Sequence, residues 1–184
     1  MATPLEAIKD RLMISSDAFE VGDVVDIRYD PFVWDVVGLR VRTKRSSNKL
    51  YAGHGKSSVL ILPEKFILND VVLLAQPIEI VKDAIIPDSD NIASLSSLIS
   101  SKVVTRDNAL VGTITTVMID TEHWKVLSII VRLDKSAVEA MGMKKGLFSK
   151  ISAEIGTDLI LSSAEMVHLN EHMDGVRNNM TIVE

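Results

Sequence analysis

The sequence predicts a mainly β protein made of two tandem small antiparallel β-barrels with short helices, and three observations predict it. Apolar and polar residues alternate with period two over short runs, turn-forming residues recur at regular spacing, and one stretch of chain is repeated. Residues 21–41, VGDVVDIRYDPFVWDVVGLRV, align without a gap on residues 111–131, VGTITTVMIDTEHWKVLSIIV. Gly22 meets Gly112, Asp30 meets Asp120, and the chain's two tryptophans, Trp34 and Trp124, fall on equivalent positions. Further on, Pro63–Leu73 resembles Ser152–Leu161, with Asp70 opposite Asp158. Short strands bounded by turns favour barrels because closure removes exposed strand edges.

The first strand of each copy places Val25, Ile27 and Tyr29, and then Thr115, Val117 and Ile119, on one face. After the turn come Val37, Leu39 and Val41, matched by Leu127, Ile129 and Val131; these twelve positions are the expected core. Asp30 and Asp120 open the turns, since a carboxylate there can accept from backbone N–H groups two or three residues on. Each tryptophan lies just past its turn, where its ring can cap the end of a barrel; ligand stacking is the sharper and less economical reading. In the second copy, DKSAVEAMGMKKG predicts a helix capped by Asp134, carrying Lys144 and Lys145 near its end and stopped at Gly146. The tail from Ser163, with Met166, Val167 and Leu169, reads equally as a strand or a short helix.

The 184 residues are 47% hydrophobic, 24% charged and 4% aromatic, with a net charge of −5 and no cysteine. Disulfide frameworks, cysteine nucleophiles and cysteine-ligated zinc are therefore excluded. No apolar run approaches the roughly 20 residues of a membrane helix, and the first residues, MATPLEAIKDRL, lack a signal peptide's apolar region. The expectation is a soluble, cytoplasmic protein. The turn-rich run 86–91, IPDSDN, divides the chain into domains 1–88 and 89–184, each large enough for a core with a thin stability margin.

Both halves resemble the PRC-barrel domain. The second half carries the closer resemblance, in SSLISSKVVTRDNALVGTITTVMIDTEHWKVLSIIV, with Asp107 and Asn108 where many members have Asp-Gly, and in the run ISAEIGTDLIL. The first half lacks the extended initial hairpin, having only Asp17–Glu20 before Val21. The resemblance, strongest to small archaeal members, implies a non-enzymatic scaffold with no catalytic residues, cofactor or metal to carry over. Family members serve as protein-interaction modules in photosynthetic complexes, ribosome maturation and archaeal cell division. A cell-division adaptor, working as a homodimer with protein partners, is what it implies here.

Chemistry-bearing motifs are weak. Gly55, Lys56 and Ser57 imitate a P-loop, but the earlier glycine would fall at Leu50, so the spacing fails. His168 and His172, with Glu165 or Glu171, could hold a metal on a helix, yet read more simply as a solvated pair. The Asn179–Thr181 sequon is idle without secretion. An enzyme holding a small molecule between the barrels would need a pocket that sequence cannot display.

Two surface features carry more. Arg40, Arg42, Lys44, Arg45, Lys49 and Lys56 form a run without an acid, expected to project as a partner-binding basic stripe. RNA is the alternative partner, for a ribosome- or RNA-associated maturation factor. In the second copy Ile114, Met118, Val126 and Ile130 occupy the positions of Val24, Arg28, Val36 and Arg40, an apolar outer face expected to be an interface.

Overall fold

The long hairpin of each repeat decides the architecture. A computed structural model describes residues 1–43, 58–86, 88–89, 91–143 and 150–183. In the first copy β1 (Ala2–Pro4), α1 (Leu5–Ile8) and β2 (Leu12–Ile14) lead into the hairpin β3 (Glu20–Tyr29) and β4 (Val36–Thr43). Then come β5 (Ser58–Ile61), β6 (Phe66–Leu68), β7 (Val71–Leu74), α2 (Ile78–Asp83) and β8 (Ile85–Ile86). The second copy opens with β9 (Ala93–Ser94), a 3₁₀ turn and β10 (Lys102–Val104), followed by the hairpin β11 (Leu110–Asp120) and β12 (Lys125–Leu133) and by α3 (Lys135–Ala140). It ends with β13 (Ser152–Gly156), β14 (Ile160–Ser163), β15 (Val167–Leu169), α4 (Met173–Asn179) and β16 (Thr181–Val183).

The protein is mainly β, in two eight-stranded sheets of the same connectivity: β6-β7-β2-β3-β4-β5-β8 and β14-β15-β10-β11-β12-β13-β16. Neither sheet is wholly antiparallel. β7 runs parallel to β2, and β15 parallel to β10, because each returns beside the first strand of its sheet only after the whole meander has been traversed.

Two short strands cross over between the repeats. β1 leads the first copy but pairs with β11, as Thr3 opposite Ile119 and Pro4 opposite Met118. β9 leads the second copy but pairs with β3, as Ala93 opposite Tyr29 and Ser94 opposite Arg28. All four partners in one register lie 90 positions from their counterparts in the other. The compact units accordingly comprise Met1–Pro4, Pro31–Trp34 and Ser97–Glu184 in one, and Leu5–Asp30 and Asp35–Ser96 in the other.

The same spacing governs the backbone. Left-handed φ angles at non-glycine residues occur at Asp10, Ala18 and Trp34 and again at Ser100, Asn108 and Trp124. Such angles are costly for bulky side chains, so their recurrence marks a shared fold rather than a shared composition. The tight turn at the second pair is built identically in both copies. Ser15 and Thr105, both fully buried, accept from the N–H of Phe19 and Ala109 at 3.1 and 2.9 Å. Their hydroxyls donate to Asp17 and Asp107, which holds both carboxyls below the usual range. The initial hairpin β2–β3 is therefore present in the first half, contrary to expectation; its turn keeps the hydrogen bonds although it lacks the Asp-Asn pair.

The expected core was displaced at four positions, all for one reason. Val24 pairs with Val41 but Asp26 with Arg40, leaving Val25 as an extra residue in a bulge; Thr115 is extra in the same way. Beyond the turn, Val37 and Leu127 are the unpaired residues of a second irregularity. A bulge reverses the alternation, so Val24, Val36, Ile114 and Val126 point inward instead. Ile27, Tyr29, Leu39, Val41, Val117, Ile119, Ile129 and Val131 are buried as expected. Bulges on both strands also coil the hairpin sharply.

Gly22 and Gly112 sit where this coiling brings strands together. A β-carbon there would stand 2.3 and 2.2 Å from the carbonyl oxygens of Arg42 and Arg132. The second sequence match does not survive, since Pro63–Leu73 holds β6 and β7 whereas Ser152–Leu161 holds β13 and the start of β14. The true counterpart of β13 is β5, each pairing with the second strand of its hairpin.

Helix α3 begins as expected, with the Asp134 carboxylate accepting from the Ser136 N–H at 2.9 Å. It ends sooner. Gly142, at φ 66°, donates to the Glu139 carbonyl and Met143 to that of Val138, the paired bonds of a Schellman stop. Lys144, Lys145 and Gly146 lie outside the described residues. In the tail, Val167–Leu169 is a strand and Met173–Asn179 a helix.

Candidate functional site

β3 and β4 position the charged residues of the first copy. On β3, Asp26 and Arg28 alternate with the core residues Ile27 and Tyr29 and so lie on the opposite face, yet they are only 7% and 6% exposed. Arg28 lies beside Asp88, a residue of the expected linker that is itself only 8% exposed. Arg28 Nε lies 3.4 Å from Asp88 Oδ1 and its Nη1 3.8 Å from Asp26 Oδ2. Arg40 Nε lies 2.9 Å from Asp88 Oδ2 and donates to Ser58 Oγ at 3.3 Å. Asp26 accepts from the N–H groups of Ile27 and Ser96, at 2.8 and 3.2 Å, and from the Ser94 hydroxyl.

Arg40, one-third exposed, is a counter-ion in this partly buried network. Arg42 is exposed, as expected. Lys44, Arg45, Lys49 and Lys56 lie outside the described residues, as does the P-loop imitation at Gly55–Ser57. Alternation gives the facing of Arg28 but not its burial, because Asp88 and the Ile92 carbonyl, which meet it, come from a segment distant in the chain.

The apolar patch expected on the second copy is also redistributed. Ile114 and Val126 are core residues, 1% and 0% exposed, because the bulges turn them inward. Met118 and Ile130 remain half-buried, Met118 opposite Pro4 of β1 and Ile130 opposite Glu154 of β13.

Exposed apolar side chains stand in the β3–β4 turn, at Phe32 and Val33, and on the hairpins that end each sheet. β6 is a terminal strand, and Ile67 on it is 57% exposed; β14 is the corresponding terminal strand, with Leu161 at 68%. Beside β6 a cavity of about 350 Å³ is lined by Phe66, Ile67, Leu73, Leu74, Ala75 and parts of Ser16 and Lys65. Among the described residues, β6 and β14 each pair with a strand on one side only, next to these apolar side chains.

The tryptophans are not presented to a ligand, at 7% and 8% exposure. Trp34 instead accepts from the Val126 N–H at 2.8 Å. Asp120 acts as a turn residue, accepting from the Glu122 N–H at 3.0 Å. It also meets the Met1 ammonium at 2.8 Å and His123 Nδ1 at 2.7 Å. The Met1 ammonium first and His123 second hold its carboxyl well below the usual range, and the same bond raises His123. Asp120, Glu122 and His123 bring ligand-type atoms within 4.8 Å of one another, but Asp120 is already occupied by these bonds. His168 is on β15, whereas His172 precedes α4 and faces Asp107 at 3.3 Å, so they share no helix face.

Residues 90–144 match the PRC-barrel domain, a β-barrel family. The match runs from just before β9 to just after α3 and covers the initial hairpin and long hairpin of the second copy. No curated protein matches the chain. Among the described residues, no helix is long and apolar enough to cross a membrane.

Proposed function

We propose that this chain is a non-enzymatic protein-interaction adaptor made of two PRC-type barrels in tandem. The observation that carries this reading is the apolar hairpin that, among the described residues, ends each sheet, with Ile67 on β6 and Leu161 on β14. An extended partner segment can add a strand to such an edge, drawing affinity from main-chain hydrogen bonds and specificity from the adjoining apolar side chains. Two similar edges in one chain suit a linker between proteins. The 90-residue periodicity of strands and left-handed residues supports two copies of the domain matched at 90–144. Within the roles of the PRC-barrel family, scaffolding of archaeal cell division is the one that a pair of barrels resembles most.

The test is affinity capture from native lysate, with and without nuclease, using the intact chain and the variants Ile67→Glu and Leu161→Glu. Partners that persist after nuclease and disappear with either variant support the adaptor. Capture unchanged by both variants, or abolished by nuclease, overturns it, and the latter outcome favours an RNA-associated factor.

A further inference from the structure

A second concavity, on the β3–β4 face of the first copy, differs in chemistry from the apolar edge. Its volume is about 390 Å³, at the small end of the range typical of ligand sites. Lys9 and Arg42 stand at it with Arg40, Ser58 and Ser96, while Val25, the extra residue of the bulge, and Asp26 complete its wall. We propose that this pocket binds a small phosphate monoester lacking an aromatic base.

Charge balance supports a dianion. Arg28 and Arg40 are offset by Asp26 and Asp88 through the ion pairs described above. Lys9 and Arg42 make no ion pair among the described residues, although Asp23 stands opposite Arg42 in the ladder. Two cations in excess match the roughly −1.5 to −2 charge that a phosphate monoester carries at neutral pH. Asp26 does not repel an incoming anion strongly, since its oxygens are taken up by Ile27, Ser94, Ser96 and Arg28.

One hydroxyl donor is in place as well. Ser96 Oγ is buried and has no hydrogen-bond partner, a cost that a phosphate oxygen would relieve. Ser58 Oγ, at the same wall, accepts from Arg40 and donates to Asp88, which fixes the Arg40 guanidinium beside the pocket. Among the described residues the lining contains no aromatic side chain for a nucleobase to stack on, whereas an aliphatic or sugar phosphate needs no such platform.

The site is a property of one copy and not of the scaffold. At the 90-residue spacing, Lys9, Asp26 and Arg40 become Ile99, Thr116 and Ile130, while Arg42 becomes Arg132. The fold therefore does not need these charges.

Calorimetric titration of the full chain in about 0.15 M salt, with glucose 6-phosphate, glycerol 3-phosphate, inorganic phosphate, unphosphorylated glucose and a single-stranded RNA oligonucleotide, tests the assignment. Saturable binding of the esters is expected, with none for glucose. Lys9→Gln and Arg42→Gln should each weaken it about tenfold, the loss of one charge-assisted contact. Arg132→Gln should change nothing, and unchanged thermal unfolding would show the variants folded. No saturable ester binding, or ester binding insensitive to Lys9→Gln and Arg42→Gln, overturns the proposal. So does inorganic phosphate binding without ester binding, or RNA alone binding with the same sensitivity.

Discussion

Asp88 illustrates how much one side chain can contribute when it stands between two guanidinium groups. At 5% side-chain exposure it faces Arg28, itself at 7%, and reaches Arg40 at 2.9 Å. Removing one member of a buried pair leaves its partner charged and desolvated, which costs about 3–5 kcal/mol. Asp88→Ala should therefore lower the unfolding free energy by about 3 kcal/mol, while Arg42→Ala, on the exposed rim, should change it by less than about 0.5 kcal/mol. Urea unfolding of both variants measures the difference; equal effects would mean that the network contributes little. At this scale the sequence was a poor guide. Arg28 and Asp88 were read as an outer-face residue and a linker residue, because the long-range ion pair that buries both leaves no periodic signal.

The long hairpins were legible as hairpins, and most of their inward residues followed from period-two alternation. What alternation could not register was the extra residue at Val25, Val37, Thr115 and Leu127, since a bulge changes facing without changing composition. The glycines at the crowded bend were legible in position but not in severity. Gly22→Ala and Gly112→Ala would drive a methyl group into a backbone carbonyl that cannot rotate away, so each should cost about 3 kcal/mol or more. At Gly142 a methyl group would meet only open space and the far end of Arg177, leaving the left-handed φ as the penalty, about 1 kcal/mol. Thermal unfolding of the three variants gives that order; a reversed order would contradict the close approach. The helix stop itself was misplaced because Gly146 is the more obvious punctuation, while Gly142 makes the terminating bonds.

For the whole molecule, the internal similarity was visible in one aligned segment of 21 residues, and the structure extends the same spacing back to β1 and β9. The exchange of these strands was not legible, because three residues of extended chain carry no label saying which long strand they join. Deleting residues 1–4 tests it by amide hydrogen exchange. Protection should fall along Met118–Asp120 in β11, more than 110 positions away in the chain, and be retained at Leu12–Ile14 in β2. Loss confined to the neighbouring α1 and β2 would contradict the pairing. The exchange also bears on how such a chain could arise. A polypeptide with a single copy leaves its own long strand one neighbour short, yet two such polypeptides lending each other their first few residues satisfy both vacancies at once. Fusing the pair end to end would preserve that loan within one molecule, and would free either half to diverge in its side chains, as the charges found in only one of them have done.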